Sequence, residues 1–318
     1  MANTCIAPTP TSLNNRYEII RIIEDGLWCV TWLAKDTLLP SHRLCIVRQV
    51  KPLTADVHIQ KQFRDRLQSE INTWQKLGGI HDQIPWLSSF TDVSGQVYLI
   101  EEWVPGLTLS QALQKRRVFE EADVQKILAQ LLSLVDYLHQ NKVAHCVLEP
   151  NNIVLREENQ KPVLQYGGML NQVIANTFLA NKIQPMPWLS TSFLPQEQTV
   201  FDDYSAASNL YSLGLIGIYL WTGKNPDDLD LDKVTSNEWQ DILPEDSALA
   251  AILRKAITQF PGERFLTVRE MMKAVANPSQ FLQQSFASRS TLVEQMGAYI
   301  NSCLLSLNPP KYPFNVSG

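Results

Sequence analysis

A chain of 318 residues, 45% of them apolar and 19% charged, has the composition of a soluble globular protein and the length of one large bilobal domain or of two domains. The formal net charge of -5 excludes the basic surface that binding to nucleic acid or to an anionic membrane requires. The five cysteines are scattered and odd in number, which predicts reduced thiols in a cytoplasmic protein. The longest apolar run, near residues 213–221, is too short for a transmembrane segment.

The first third of the chain alternates short β-rich segments with polar turns, which predicts an antiparallel sheet accompanied by one helix. Residues 1–15 are polar and are expected to form a loose arm. The helix is predicted at 63–77, where apolar residues recur at helical spacing and two glycines follow. The strands are expected to begin near residues 17, 28, 43, 86 and 96.

After a predicted hinge at 104–106 the pattern becomes mainly helical. Helices are predicted at 107–114, 120–141, 205–222, near 239, at 248–259 and at 268–275. The region 145–168 looks strand-like, and an irregular stretch is expected from there to about residue 198. A small β lobe followed by a larger helical lobe is an α+β arrangement, with a cleft between the lobes that suits a ligand.

Short segments along the chain resemble, in the same order, the motifs of bacterial serine/threonine protein kinases of the Hanks type. They are NRYEIIRIIEDG, CIVRQVKPL, the helix that carries Glu70, IEEWVPGLTL, FLPQEQ, SNLYSLGLIGIYLWTGKNP and PGERF. The resemblance covers residues 16–276. It implies a bilobal protein kinase-like α+β fold, with an N-lobe at 16–103, a C-lobe at 104–276 and a helical or extended tail at 277–318.

The segment HCVLEPNN at 145–152 resembles the kinase catalytic loop H-R-D-L-x-x-x-N. Cys146 and Val147 stand where the resemblance places the Arg and the catalytic Asp, whereas Asn152 matches the metal-binding Asn. Glu149 occupies a position that is commonly Lys. Because a valine side chain cannot take up a proton, the loop is expected to lack its acid/base residue.

The same resemblance aligns Tyr166-Gly167-Gly168 with D-F-G, so Tyr166 replaces the Asp that binds magnesium. A neutral phenol is a poor ligand for a hard cation. Asn152, the other metal ligand of the family, survives alone, and the histidines lie far apart in the sequence. No metal site is therefore expected.

The glycine-rich loop pattern G-x-G-x-x-G aligns with Glu24, Gly26 and Cys29. The backbone needs these glycines to approach phosphates closely, and one of the three remains. Glu24 adds a negative charge that repels anionic phosphates. The loop is expected to bind phosphates weakly, and the alternative interpretation is an ordinary β-turn.

Arg48 replaces the strand lysine that positions phosphates, Ile46 replaces the small residue over the adenine, and Glu101 matches the back of the cleft. A buried carboxylate needs a partner, which gives the hypothesis of an internal Arg48–Glu70–Glu101 cluster that occupies the cleft in place of a nucleotide. The alternative is that these side chains are solvated or paired elsewhere. Lys51 points to the other face of the sheet and is not expected to replace the lysine.

The framework residues of the family are better matched than the chemical ones. His145 resembles a packing histidine, Glu197 and Arg264 match an ion pair that braces the helical lobe, and Asn209 replaces an Asp that bonds to the catalytic loop. An amide can still make such hydrogen bonds. The contrast predicts a framework that is kept while the chemistry is lost.

These replacements predict a catalytically inactive pseudokinase, which is not an enzyme, uses neither ATP nor magnesium as a cofactor and acts as a protein-binding scaffold or regulator. Protein partners are expected at the helical lobe or at the apolar residues of 280–305, a segment that alternatively packs on the lobe. No nucleic acid partner is expected. The alternative function is an atypical nucleotide-dependent phosphotransferase, with Glu149 as its acidic loop residue, or a small-molecule sensor.

Overall fold

The computed structural model describes residues 11–38, 41–143, 147–183, 192–195, 197, 206–229, 242–244 and 246–284. These residues form a small lobe, built on an antiparallel sheet and one long helix, and a larger lobe that is mainly helical. The bilobal α+β prediction is therefore confirmed. The division of the chain between residues 103 and 104 stays a prediction. The helix predicted near residue 239, the arm before residue 11 and the tail after residue 284 lie outside the described residues.

The sheet of the small lobe contains six strands. They are β1 (Ser12–Leu13), β2 (Tyr17–Asp25), β3 (Cys29–Asp36), β4 (Leu44–Val50), β5 (Leu87–Thr91) and β6 (Val97–Glu102). Their order is β1-β2-β3-β4-β6-β5, and every neighbouring pair is antiparallel. Because successive side chains of a strand point to opposite faces, the two faces differ. One face carries a closed apolar cluster: Tyr17, Trp32, Ala34, Cys45, Val47, Tyr98 and Ile100.

The long helix of the small lobe, α1 (Val57–Leu77), packs beneath the other face of the sheet. Asp56 caps it by accepting hydrogen bonds from the backbone N–H groups of His58 and Ile59. The helix therefore begins six residues before the predicted start at residue 63. It ends before Gly78, where a Cβ atom would lie 2.7 Å from the carbonyl oxygen of Pro85. This close approach is what requires a glycine.

The larger lobe opens with a small sheet that holds the cleft loop in place. Its strands are β7 (Gly106–Thr108), β8 (Ile153–Arg156) and β9 (Pro162–Leu164), in the order β7-β8-β9. The helices are α2 (Leu109–Arg116), α3 (Glu121–Gln140), α4 (Gly167–Ala180), α5 (Ala206–Thr222), α6 (Ala248–Ala256) and α7 (Val268–Ala276). None of the described helices is long and apolar enough to cross a lipid bilayer.

Helix α5 is buried on nearly every side, as its apolar sequence predicts. The predicted brace beside it is present, because Arg264 forms an ion pair with Glu197 and lies 4.5 Å from the ring centroid of Tyr211. Asn209 of α5 is 3.0 Å from the ring Nε2 of His139 on α3. Two residues of α5 therefore make contacts outside the helix: Tyr211 with Arg264, and Asn209 with His139 of α3.

Helix α4 corrects the sequence interpretation, which expected an irregular stretch from residue 168 to about 198. Residues 167–180 are helical, and most of their apolar side chains are buried. The two glycines that begin the helix and its β-branched residues have low helix propensity, which is why the pattern looked irregular. Packing against α1 stabilises the helix instead.

Candidate functional site

The candidate site lies on the face of the small lobe's sheet that carries Arg48 and Glu101, where Arg48 and Asn152 both approach Gly167. Strand register decides which side chains meet there. Thr31 of β3 is directly opposite Arg48 of β4, and Ile46 of β4 is directly opposite Glu101 of β6. Arg48 and Glu101 are therefore diagonal neighbours on the same face, within reach of long side chains.

The guanidinium group of Arg48 is enclosed by hydrogen-bond acceptors. Its Nε donates to Glu101 Oε1 at 2.8 Å, its Nη2 lies 2.7 Å from the same oxygen, and its Nη1 donates to Thr31 Oγ1 at 3.2 Å. Arg48 is 8% exposed and Glu101 is 1% exposed. The pair is thus a buried salt bridge in which all three guanidinium nitrogens are engaged.

The second oxygen of Glu101 connects the two lobes. Glu101 Oε2 accepts a hydrogen bond from the backbone N–H of Tyr166 at 3.1 Å. Burial works to lower the pKa of Arg48, but Glu101, Cys29 and Glu24 together raise it by more, so that the pKa of Arg48 lies above its ordinary value. Arg48 therefore keeps its charge inside the protein.

The structure brings together part of the cluster predicted from the sequence. Arg48 points inward, as the hypothesis of an internal Arg48–Glu70–Glu101 cluster requires, and its bond to Glu101 is present. Glu70 is half-buried on α1, and its membership of the cluster stays a prediction. Ile46 is buried in the same layer, where its branched side chain takes up space above the cleft.

The turn that aligns with the glycine-rich loop is fixed by polar contacts. The N–H of Gly26 donates to the carbonyl oxygen of Cys29 at 2.9 Å, while Glu24 is exposed. Lys51 Nζ donates to Asp25 Oδ1 and to the carbonyl oxygen of Gly26, both at 2.7 Å. Lys51 therefore anchors the turn, a role that sequence reasoning missed because it considered Lys51 only as a replacement for the strand lysine.

The loop at 147–152 places a carboxyl group beside the retained asparagine. Asn152 Nδ2 donates to Glu149 Oε1 at 2.7 Å, and each residue is 8% exposed. Burial raises the pKa of Glu149, an effect that the hydrogen bond from Asn152 partly opposes. Val147 is 4% exposed and contributes an apolar side chain. Positions 145 and 146, the predicted packing histidine and the cysteine Cys146, lie outside the described residues.

Tyr166, which the sequence interpretation aligned with the metal-binding Asp, lies in the core. Its side chain is 1% exposed, its hydroxyl donates to the carbonyl oxygen of Pro85, and its ring meets the edge of Trp74 on α1 at 5.4 Å. Burial raises the pKa of Tyr166. This buried position suits the Phe of D-F-G, and in that register Gln165 would align with the metal-binding Asp.

Gln165 precedes Tyr166 and lies beside the retained asparagine. It is half-buried, and its N–H donates to the carbonyl oxygen of Asn152 at 2.8 Å. A Cβ atom at Gly167 would lie 3.0 Å from Asn152 Oδ1, so a glycine there leaves room for the asparagine. The signal that could have found the register is the aromatic residue followed by glycine, Tyr166-Gly167, which matches F-G.

Helix α4 lies between α1 and the turn at 24–29 that aligns with the glycine-rich loop. The ring of Phe178 on α4 is 5.8 Å from the ring of Trp28 in the turn. On its other side, Asn181 Nδ2 donates to Gln62 Oε1 of α1 at 2.9 Å. The segment that follows Gln165 is therefore packed against both elements that border the cleft.

Among the residues that the structure describes, Glu149 and Asn152 are a pair that could hold a magnesium ion. Magnesium is typically held by one or two carboxylates, with water and substrate phosphates as its other ligands. No group of three or more His, Cys, Asp and Glu side chains lies together as a metal site in the described part of the chain. Glu149 and Asn152 supply one carboxylate and one amide oxygen, which is sufficient for a magnesium ion whose other ligands are water and substrate phosphates. Arg48 is the cation available to the phosphates themselves, and it is bonded to Glu101.

The family model described as the protein kinase domain matches residues 45–295. This match covers most of the chain, including part of the small lobe and the cleft residues from Ile46 to Gly167, whereas Thr31 and the turn at 24–29 precede it. The chain belongs to the protein kinase family. The resemblance to bacterial Hanks-type kinases is thereby confirmed.

The most similar kinases include two from cyanobacteria. The serine/threonine-protein kinase PknA of Nostoc sp. is 34% identical over 83% of this chain and 47% of its own length. The serine/threonine-protein kinase C of Synechocystis sp. is 33% identical over 87% of this chain and 51% of its own length. This kinase-family chain thus spans about half the length of these relatives. The solved structure of PpkA-294 in its apo form shares the fold, with a TM-score of 0.67, 20% identity and coverage of 85% of this chain and 99% of its own.

These relatives correct two predictions drawn from the substituted residues. The prediction that the chain is not an enzyme is wrong, because the kinases that match most of its length are named serine/threonine-protein kinases. The prediction that neither ATP nor magnesium is a cofactor is wrong for the same reason. Phosphoryl transfer depends mainly on positioning and electrostatic stabilisation, so a valine at position 147 does not by itself exclude it.

Proposed function

We propose that this chain is a nucleotide-dependent phosphotransferase of the serine/threonine kinase type, with an atypical set of cleft residues. The observation that carries the proposal is the 34% identity, over 83% of the chain, to a relative named a serine/threonine-protein kinase. The partner implied is a protein that carries an acceptor hydroxyl. The segment 280–305 remains a proposed docking element, and all but its first five residues lie outside the described part of the chain.

Glu149 and Asn152 are proposed to hold the magnesium ion, which neutralises part of the phosphate charge when it is bound. Their side chains lie side by side, 2.7 Å apart, at the place where Gly167 leaves room for Asn152. Little covalent chemistry is left to the protein in such a transfer. The proposal therefore requires the loop to position charge and requires no base at Val147.

The experiment is transfer of labelled phosphate from ATP to serine and threonine peptides and to the chain itself, with magnesium and with the metal chelated. We expect incorporation that depends on magnesium. Glu149→Gln, which keeps the shape and the bond to Asn152 but removes the hard anionic ligand, is expected to lower the rate by at least about tenfold. Glu158→Gln removes the same charge from an exposed position and is expected to leave the rate unchanged.

Two results would contradict this proposal in different ways. Incorporation no greater than in a reaction without the protein, with either magnesium or manganese present, would overturn the proposed function. Equal rates for Glu149→Gln and Glu158→Gln would instead remove Glu149 from the magnesium site while the function stands.

A further inference from the structure

We propose that Glu101 determines how tightly the cleft binds nucleotide phosphates, because it holds the guanidinium group of Arg48 as its own counter-ion. The inference rests on the proposed function, since it concerns the nucleotide of that reaction. Glu101 is a positioning residue in this scheme: it acts on phosphates through Arg48. The ligand class is a nucleoside polyphosphate, whose phosphates need the cation that Glu101 has taken.

The first support is that each of the three guanidinium nitrogens of Arg48 already has a partner within the protein. Two of its nitrogens are bonded to one oxygen of Glu101 and the third to the hydroxyl of Thr31. The guanidinium group lies almost wholly out of water. The edge formed by Nε and Nη2 is therefore closed to a phosphate unless the bonds to Glu101 are first broken.

The second support is that Glu101 is itself fixed from the other lobe. Its second oxygen accepts the N–H of Tyr166, and Tyr166 is held in the core by its bond to Pro85 and by Trp74. The carboxylate consequently cannot swing away from Arg48 without breaking a hydrogen bond between the lobes. The ion pair between Glu101 and Arg48 is thus held by a hydrogen-bond network that includes the backbone of the other lobe.

The third support is the sheet register, which places both charged side chains on the same face as diagonal neighbours. Arg48 lies between Thr31 and Leu99 on the neighbouring strands, and Glu101 lies beside Ile46. The residues before and after Arg48 point to the opposite, apolar face. A phosphate that draws on Arg48 therefore competes with the carboxylate of Glu101 for the cation, whereas a nucleoside without phosphates does not.

The experiment is calorimetric titration of the full chain with ATP and with adenosine, both in magnesium buffer. Glu101→Gln is expected to bind ATP about tenfold or more tightly than the unsubstituted chain, because a carboxylate that competes for the cation is gone. Adenosine affinity is expected to stay the same. Glu101→Asp, which keeps the charge, should resemble the unsubstituted chain, and Glu18→Gln on the exposed side of β2 is the matched control.

A double variant separates capture of Arg48 from simple repulsion of phosphates. Arg48→Met with Glu101→Met removes both charges and leaves no buried ion without a partner. If Glu101 acts by holding Arg48, the double variant should bind ATP no more tightly than the unsubstituted chain. The cation is absent from the double variant, and in the unsubstituted chain it is bonded to Glu101. Tighter ATP binding would indicate repulsion alone, and a clear loss of ATP affinity would show that Arg48 already holds phosphates. Either result overturns the proposal, even where Glu101→Gln fails to fold.

The outcomes also distinguish this inference from the proposed function. Binding of ATP by Glu101→Gln but not by the unsubstituted chain would support the capture of Arg48 while it counts against the proposed function of the resting chain. Equal ATP affinity in both would overturn the role of Glu101 and leave the phosphotransferase proposal intact. Absence of ATP binding in every folded variant would overturn both.

Discussion

His139, near the end of α3, shows how the fold treats a single titratable side chain. It is half-buried, with Asp136 one turn before it and the amide of Asn209 at 3.0 Å from its Nε2. Burial lowers the pKa of His139 below its ordinary value, and the nearby Asp136 opposes this only in part. The native protein therefore binds fewer protons at this site than the unfolded chain does.

The free energy of unfolding is expected to depend on pH through His139. The contribution of His139 to the free energy of unfolding is complete above the ordinary histidine pKa of 6.5. It is lost as the pH falls from there toward the lowered pKa of the folded state, because the unfolded state takes up the proton first. Each tenfold difference in proton affinity corresponds to about 1.4 kcal/mol. His139→Gln should show a smaller loss between about pH 7 and pH 5, measured by urea denaturation.

The matched control for this prediction is His58→Gln, since His58 is exposed at the start of α1. It is expected to keep the pH dependence of the unsubstituted chain. An unchanged slope in His139→Gln would show that the pH dependence arises elsewhere and would remove His139 as its source.

The cleft residues show what the sequence could establish at this scale and what it could not. The unusual residues Arg48 and Glu101 were found from the motifs, and so was their partnership, because a buried carboxylate needs a cation. The alignment of Tyr166 is harder to fix from the sequence. A motif with two successive glycines fits either register, and burial against Trp74 decides between them. That decision depends on α1, which is distant in the sequence.

At the scale of single elements, α4 is the helix that the sequence pattern did not reveal. Its local signals are poor, with glycine at both of its first positions and β-branched residues in its middle. Its stability comes from buried contacts with α1 and with the turn that carries Trp28. By contrast, α3 and α5 were predicted closely because each has a long apolar pattern of its own.

Phe178→Ala tests this account of α4. The ring of Phe178 is 7% exposed and packs on Trp28, so its removal should lower the free energy of unfolding by about 3–5 kcal/mol. Peptides that cover the turn at 24–30 should also exchange their amide hydrogens faster. The measurements are urea denaturation and hydrogen exchange followed by mass spectrometry.

Asn171→Ala provides a comparison on the same helix. Asn171 is half-buried and polar, so its replacement should change the free energy of unfolding by less than about 1 kcal/mol. Unchanged exchange at 24–30 in Phe178→Ala would show that α4 does not hold the turn in place, whatever its own stability.

At the scale of the whole molecule, a buried glutamine joins the two lobes behind the cleft. Gln83 lies in the loop between α1 and β5 and is 1% exposed. Its Nε2 donates to the carbonyl oxygen of Pro162 at 2.9 Å and to that of Gln130 at 3.2 Å. The backbone carbonyl oxygen of Gln83 accepts a hydrogen bond from the backbone N–H of Leu164 at 3.0 Å. The small lobe is thereby fastened to both the second sheet and α3.

The loop of Gln83 also touches the same sheet through a charged pair, which allows a comparison within a few residues. Asp82, next to Gln83, forms an ion pair with Lys161, but its side chain is 64% exposed. A surface ion pair contributes about 0–1 kcal/mol, whereas a buried carbonyl left without its donor costs about 1–3 kcal/mol. The buried amide should therefore matter more to the joining of the lobes than the charged pair does.

Gln83→Ala is expected to lower the free energy of unfolding by about 1–3 kcal/mol for each buried carbonyl oxygen that stays unpaired, and Asp82→Ala by less than about 1 kcal/mol. Urea denaturation of the two variants measures the difference. Hydrogen exchange at 162–165 should accelerate in Gln83→Ala and stay nearly unchanged in Asp82→Ala, because the side chain of Gln83 holds the second sheet against the small lobe. Equal stability of the two variants, or faster exchange in Asp82→Ala, would place the connection between the lobes in the surface charges, which a rise in salt concentration would then weaken.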